Sequence, residues 1–446
     1  RMFLTETALV LFISVLLTIL LIFQFREFVE EIAGIRLSSL FTWQTLWVPL
    51  TVLLVVFILA GAIPASIFAS IPVTQVFRRY AERKTSWKRP LLFIQFAGMT
   101  FILGFLMVVF CQYHMAMNKD LGYNPERVVM CWKKLGSNRQ NAKSFFMNLP
   151  MVEEHGVGQQ AIWRSWSGEV FNVGEGRTIK GRFEWIGDDF VPMMKIQILH
   201  GKNVTSPKEA LVNEEFVRRA GWTDEPIGKQ LSIWGKEVTI VGVMKNFSVQ
   251  SVYHPQYPVL LLGSGSDSNP GLHYVRLKEP FDENLKKLNA LMAETFPTED
   301  IIFYSLTQKL DEQYTDITRF RNAVLLASIS IFFIALMGLL GYVGDEIRFC
   351  RKEIAIRKVN GADTCGILKL FSANVLWTAL PAVLIGAGLA YWIGMKWLEQ
   401  FSESVNLSIW LFAGVIAFVL VVILVCVILK AWEVANENPV NSIANE

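Results

Sequence analysis

Apolar residues along this chain fall into six blocks, at roughly 4–25, 47–71, 91–112, 323–343, 367–393 and 409–429. Each block is close to the ~20 residues that a helix needs to cross the hydrocarbon of a bilayer. No Asp, Glu, Lys or Arg interrupts the centre of the first four or of the last. The pattern predicts six membrane helices. The fifth block is the least uniform. It opens on polar positions around Lys369 and carries Pro381, Gly386 and Gly388, which a membrane helix tolerates when its neighbours resatisfy the backbone. Pro64 is expected to kink the second helix near its end.

The long stretch 113–322 has a different rhythm. "RVVMCW" and "EVTIVGVM" are rich in β-branched residues and read as strands. "NEEFVRRAGW" reads as a short helix, with Asn213 as its N-cap and Gly221 ending it. A strand at 128–132, a helix at about 140–149 and a strand near 157–163 form one βαβ-like unit. "HYVRLK", "DENLKKLNALMAETF" and "IIFYSL" form another. Two such units far apart in sequence predict a split ferredoxin-like subdomain with a second subdomain inserted. Residues 307–322 read as a helix leading into the fourth span. The fold class is therefore an α-helical polytopic membrane protein with one large α/β extracytoplasmic domain.

Charge orients the spans. The 72–90 loop holds Arg78, Arg79, Arg83, Lys84, Lys88 and Arg89 against Glu82, and the 344–366 loop holds Arg348, Arg351, Lys352, Arg357 and Lys358. Basic loops stay on the cytoplasmic side. The 26–46 and 394–408 loops are acidic or mixed and face outward. The assignments alternate without conflict, so both ends of the chain are expected in the cytoplasm and residues 113–322 outside.

The first two spans echo the last two. Trp43 and Trp410, Pro72 and Pro439, and Val73 and Val440 share one offset of 410 − 43 = 367 residues. Hydrophobicity alone does not fix a register, so the constant offset argues for duplication. The chain then holds the end of one repeat and the whole of a second, and its opening "RMFLTETALVLF" reads as the start of a cut polypeptide.

Composition narrows the chemistry. The 446 residues are 52% hydrophobic with a net charge of only +3, which gives no footprint for nucleic acid. The five cysteines (Cys111, Cys131, Cys350, Cys365 and Cys426) have no paired spacing and read as isolated thiols, with no disulfide framework or zinc site. There is no GxxxxGK[ST] phosphate loop and no HExxH. His114, His155, His200, His254 and His273 are scattered, the pattern of surface or structural histidines. "GSGSDSNPG" at 263–271 reads as a flexible loop. Asp188 and Asp189 are adjacent and would face opposite sides of a strand. Trp163, Trp166, Phe171, Phe183, Trp185, Phe190 and Trp222 are expected in the core of the outer domain.

What remains is "RKEIAIRKVNGA", residues 351–362, between the fourth and fifth spans. Residues 345–360 lack proline and glycine, and Gly361 can supply a left-handed cap. Asp363 or Thr364 can cap the next helix. The expectation is a separate short helix lying near the inner membrane surface. Its basic residues would either fix topology and meet anionic lipid or dock a cytoplasmic protein. Glu353 inside the basic run favours a specific protein contact.

The run resembles the coupling-helix motif of FtsX/MacB-type ABC transporter permeases. "NKDLGYNPERVV", "DDFVPMMKIQILHGKN", "ALVNEEFVRRAGW", "PIGKQL", "TIVGVMKNFSVQSVYHPQYPVL" and the ending "ANENPVNSIANE" are similar to other parts of that family. The resemblance is to the large two-repeat version found in Bacteroidetes-type bacteria. It implies this division: 1–77, the last two spans of a first FtsX-like repeat; 78–90, a basic cytoplasmic linker; 91–112, a span; 113–322, a MacB-like extracytoplasmic domain; 323–343, a span; 344–366, the coupling helix; 367–430, two spans; 431–446, a cytoplasmic tail.

It also implies a non-catalytic subunit of a bacterial inner membrane. A separate cytoplasmic ABC ATPase would bind ATP and magnesium and push on the coupling helix, with no cofactor on this chain. By that resemblance Arg351, Lys352, Glu353, Ile354, Ile356, Arg357, Lys358 and Gly361 contact the ATPase. The work done outside would be export or extraction of a peptide, lipoprotein or drug-like substrate. Besides the ATPase and membrane lipid, a periplasmic adaptor or substrate protein is a partner that the resemblance allows. A membrane sensor or a regulator of cell-wall hydrolases, built on the same outer domain, is the competing reading.

Overall fold

The computed structural model describes residues 2–34, 36–40, 42–62, 88–131, 139–164, 166–174, 176–249, 251–265, 271–359 and 364–435. Pro64, the basic run 78–87, the centre of the 263–271 loop, both Pro-Val pairs of the proposed repeat and the tail from 436 lie outside the described residues.

In chain order the helices are α1 (Met2–Gln24), α2 (Arg26–Ala33), α3 (Leu37–Leu40), α4 (Trp47–Phe57, prolonged by a π-helical turn Ile58–Ala62) and α5 (Lys88–Met117). The outer region follows as β1 (Val128–Cys131), α6 (Arg139–Met147), β2 (Val152–Gly158), β3 (Gly168–Gly174), β4 (Arg177–Ile186), α7 (Phe190–Met193), β5 (Ile198–Gly201) and β6 (Glu209–Asn213). It continues as α8 (Glu214–Ala220), β7 (Gln230–Ile233), β8 (Lys236–Met244), β9 (Val259–Gly263), β10 (Leu272–Leu277), α9 (Phe281–Thr295), β11 (Phe303–Ser305) and α10 (Leu306–Glu312). Three long helices end the chain: α11 (Thr315–Val359), α12 (Thr364–Leu398) and α13 (Ile409–Ala435).

These elements form two units. One comprises Arg1–Tyr113, Asp316–Trp397 and Asn406–Glu446; the other comprises His114–Thr315 and Leu398–Val405.

In the helical unit, five helices are long and apolar enough to cross a membrane: Leu4–Gln24, Arg89–Met117, Thr315–Ile347, Ser372–Leu398 and Ile409–Trp432. At the sixth expected position stands a shorter apolar helix, Trp47–Ala62. The rest of that block is outside the described residues. One buried cluster joins α5, α11, α12 and α13, with Phe96, Leu339, Val383 and Val419 among its members. Close approach of α5 and α12 rests on small residues. A Cβ on Gly104 would stand 2.8 Å from Cβ of Ala390, one on Gly394 would stand 3.1 Å from Cγ2 of Val108, and one on Gly386 would collide with the Ala97 carbonyl. Lipid offers no hydrophobic drive between spans, so such backbone proximity and its dispersion energy are what hold them together.

In the α/β unit an eleven-stranded sheet runs β11-β1-β10-β2-β4-β9-β6-β8-β5, with β3 on β4 and β7 on β8. The four strands β11-β1-β10-β2 are mutually antiparallel. With α6 and α9 they make the predicted split ferredoxin-like unit. Val129, Phe146, Leu288 and Phe303 fill the space between its sheet and helices. The inserted part returns through parallel pairs, β4 with β9 and β6 with β8, and has its own core around Phe171, Phe216 and Ile240. α8 begins as expected. The Asn213 side chain accepts from Phe216 N–H at 2.9 Å, and Gly221 caps the end at φ 67°, a cap worth about 1 kcal/mol. All seven outer-domain aromatics belong to or pack on the cores. The run 307–322 is not one helix, since α10 and α11 are separate elements.

One sequence expectation changes shape. The cassette is not a separate helix. It is the end of α11, which runs unbroken for 45 residues. The reason is visible in the buried stripe. Ala335, Leu339, Val343 and Ile347 recur every fourth residue and share one cluster, so the packed face of the span continues to within four residues of Arg351. No proline falls between Thr315 and Val359, and its glycines, Gly338, Gly341 and Gly344, are weak breakers inside a packed helix.

Candidate coupling helix and the grip of the 398–405 loop

Arg351, Lys352, Glu353, Ile354, Ile356, Arg357 and Lys358 lie on the last turns of α11. Their side chains and Gly361 are outside the described residues. What positions them is the rod itself. At ~1.5 Å per residue, 45 residues make a helix about 67 Å long. Ile347 is 4% exposed, so the rod is held on the bundle until just before the cassette begins. At the other end of the same unit, Phe320 stacks on Trp397 with centroids 5.4 Å apart, and the Arg321 guanidinium lies 4.0 Å over the Tyr113 ring.

The α/β unit includes the loop that follows α12. Phe401 stacks on Tyr253 at 4.7 Å between centroids, the Ser402 hydroxyl donates to the Tyr253 carbonyl at 3.0 Å, and Glu403 N–H donates to the Val252 carbonyl at 3.3 Å. Lys119 Nζ stands 2.8 Å from Glu403 Oε1 and 3.2 Å from Ser248 Oγ. Sequence reasoning missed this grip. Lys119 and Glu403 are 284 residues apart, and no local pattern pairs them. Lys119 and Ser248 also line a cavity of about 430 Å³ whose walls include Leu121, Tyr123, Leu310 and Tyr314.

A second lock was equally illegible. Glu184 on β4 is fully buried. Oε1 accepts from the backbone N–H groups of Gln159 and Gln160, and Oε2 accepts from Gln160 Nε2 at 2.9 Å. Burial pushes its carboxyl up to about 8, against the opposing pull of those donors. The Tyr274 hydroxyl donates to the Gln160 carbonyl and accepts from Ile162 N–H, both at 3.0 Å. Together they pin the turn after β2.

The histidines divide. His155 and His273 form a buried pair at 3.0 Å, with His155 stacked on Phe146, while His114, His200 and His254 are exposed. Asp188 and Asp189 do not act as a pair. The Asp188 carbonyl accepts from Asn203 Nδ2 at 2.6 Å, and Asp189 lies 3.2 Å from Lys143 Nζ. Among the described residues no group of His, Cys, Asp and Glu is arranged to hold a metal.

Residues 324–439 match the FtsX-like permease C-terminal family. The chain carries an FtsX-like permease domain. That domain takes in α11 from its tenth residue, all of α12 and all of α13, so the cassette lies inside it. No curated protein sequence matches the chain. Among solved structures, the periplasmic region of MacB from Actinobacillus actinomycetemcomitans is 12% identical, covers 44% of this chain and 96% of its own, and has a TM-score of 0.34. The extracellular domain of the ABC-type transporter YknZ from Gram-positive bacteria is 9% identical over 40% of this chain and 99% of its own, at 0.31. A domain of a putative permease from Porphyromonas gingivalis is 15% identical over 41% and 91%, also at 0.31.

Proposed function

We propose that this chain is the membrane subunit of an ABC transporter of the FtsX/MacB type, seated in a bacterial inner membrane with its α/β unit in the periplasm. A separate cytoplasmic ATPase, carrying the ATP and magnesium, docks on residues 351–361. Ile354 and Ile356 enter an apolar groove on that partner while Arg351, Lys352, Glu353, Arg357, Lys358 and Gly361 set the register. Closure of the ATPase moves the end of α11. The stiffness of one continuous helix passes that motion along the bundle, and the 398–405 loop passes it to the outer domain. The outer domain does the work on a peptide, lipoprotein or drug-like substrate. The observation that carries the reading is the FtsX-like domain match spanning the cassette, together with the unbroken helix that leads into it.

The test is co-purification of the full-length permease with the ATPase encoded beside it, comparing wild type with Glu353→Lys plus Ile356→Asp. Retention by wild type and loss by the variant is the expected result. Equal retention by both moves the contact elsewhere on the chain. Binding by neither removes the transporter reading in favour of a sensor.

A further inference from the structure

A second cavity, of about 490 Å³, lies wholly within the inserted subdomain, where Gly168 and Val170 of β3 face Lys180 and Arg182 of β4. Lys180 and Arg182 are two apart on one strand, so they project from the same face. Arg219 of α8 and Tyr257 complete the group. Three cations from two elements thus converge on one space.

Arg219 is ion-paired with Glu215, and the other two cations have no carboxylate partner among the described residues. Lys180 is exposed and has no carboxylate partner among the described residues. Arg182 is partly buried and held in place. Its Nη1 donates to the Trp166 carbonyl at 2.7 Å, its guanidinium lies 4.7 Å from the centroid of the Tyr257 ring, and its backbone N–H donates to Pro258 O at 2.7 Å. Gly168, directly opposite in register, makes room for it. A Cβ there would stand 3.1 Å from Nη1. The remaining N–H donors of Arg182 have no protein acceptor among the described residues. Arg219 gives Nε to Glu215 at 2.6 Å and Nη2 to the Gln256 carbonyl at 3.1 Å, which leaves Nη1.

The single acid in the lining is Glu169. Its oxygens are taken by Val170 N–H at 3.0 Å and Trp234 Nε1 at 2.9 Å, so it does not neutralise the cations directly. Counting Glu169 in the lining and Glu215, which is ion-paired to Arg219, three positive charges stand against two negative, a formal +1. A guanidinium fixed on an aromatic face with free donors suits an oxyanion with two or more acceptor oxygens. A phosphate group offers more such oxygens than a carboxylate does, set tetrahedrally so that cations from two elements can each reach one.

We propose that this cavity between β3, β4, α8 and Tyr257 binds a phosphate group, with Arg182 as its anchor and Lys180 and Arg219 as its flanking charges. The phosphate is that of a soluble phosphate ester or of an anionic phospholipid headgroup. The site is independent of the coupling reading, since none of its residues belongs to α11 or to the 398–405 loop.

The experiment uses the full chain in phosphatidylcholine nanodiscs at fixed ionic strength. Inorganic phosphate, glycerol 1-phosphate and dihexanoyl-phosphatidylglycerol are titrated by calorimetry, with dihexanoyl-phosphatidylcholine and acetate as controls. Saturable binding of at least one phosphate titrant over the controls is expected. Arg182→Gln should weaken it by at least about tenfold and Lys180→Gln by roughly threefold, as charge-assisted bonds are lost. Lys208→Gln, outside the cavity, should leave it unchanged. Preference for glycerol 1-phosphate assigns a soluble ester, and binding of the phosphatidylglycerol alone assigns a headgroup. Should Arg182→Gln lower the melting temperature, the exposed Lys180→Gln decides. Absence of saturable binding, or binding equal in wild type and both cavity variants, overturns the proposal.

Discussion

Glu184 makes the stability of the turn after β2 depend on pH in an unusual direction. Its carboxyl sits at about 8 in the folded chain against an ordinary value of 4.5, because burial penalises the charged form. A raised acid binds its proton more tightly when folded. Its stabilisation is complete below pH 4.5 and is lost as pH rises through 8. Between pH 6 and pH 8 the linkage relation gives a loss of roughly 2 kcal/mol, about a 30-fold change in an opening equilibrium. Glu184→Gln removes the titration. The amide oxygen can still accept from Gln159 and Gln160 N–H, but its NH₂ then faces the donating Nε2 of Gln160, at a cost of about 1–3 kcal/mol. The assay is hydrogen exchange of the peptide covering 157–168, corrected for the intrinsic rate at each pH. Wild type should lose protection by about 30-fold from pH 6 to 8. The Gln variant should start less protected and stay flat, so the two curves converge. Parallel curves would refute the burial argument and leave the three N–H donors holding Glu184 as a carboxylate throughout.

Other outcomes follow from packing and satisfaction of polar groups. Phe401→Ala should release the 398–405 loop, with roughly 100-fold faster exchange in its amides, since truncating a buried ring costs about 3 kcal/mol; unchanged exchange would show that the loop is held elsewhere. Arg276 is 1% exposed, pairs with Glu154 at 2.8 Å and donates to the carbonyls of Glu126, Asn124 and Met193. Arg276→Met should cost about 3 kcal/mol or more by stranding them, read as a lower melting temperature of the full chain. Gly386→Leu should force α12 away from the Ala97 backbone and leave a polydisperse species in size-exclusion chromatography, whereas Gly388→Leu, whose Cβ meets nothing within 4 Å, should behave as wild type.

How much of this was legible depended on the range of the interaction. Hydrophobic blocks and strand alternation are local, so five of the six expected membrane helices, the split ferredoxin-like unit, the Asn213 cap and the core aromatics could all be read before folding. The cassette was expected as a short helix of its own and is instead the end of α11. Its basic residues suggested a surface helix, but the four-residue stripe ending at Ile347 binds it to the span. Glu184, the Lys119–Glu403 pair and the Arg182 cavity were invisible for a different reason. Each draws its environment from segments far apart in sequence, and nothing near Glu184 marks it as different from the solvated Glu169. The buried His155–His273 pair, 118 residues apart, failed the same way.

The helix pair α5–α12 is tied twice. Along their length the two helices meet through Gly104 and Ala390, Gly386 and Ala97, and Gly394 and Val108, where there is no side-chain length to yield. Just beyond their ends, two residues after α5 and five after α12, Lys119 and Glu403 form an ion pair. That pair is partly exposed, with side chains 17% and 38% accessible, so its own strength is at most about 1 kcal/mol. The small-residue contacts therefore hold the pair together, and the ion pair holds the loop in register. Sliding α12 against α5 would open the packed backbone contacts before it strained the loop. A tilt of both helices as one body strains neither.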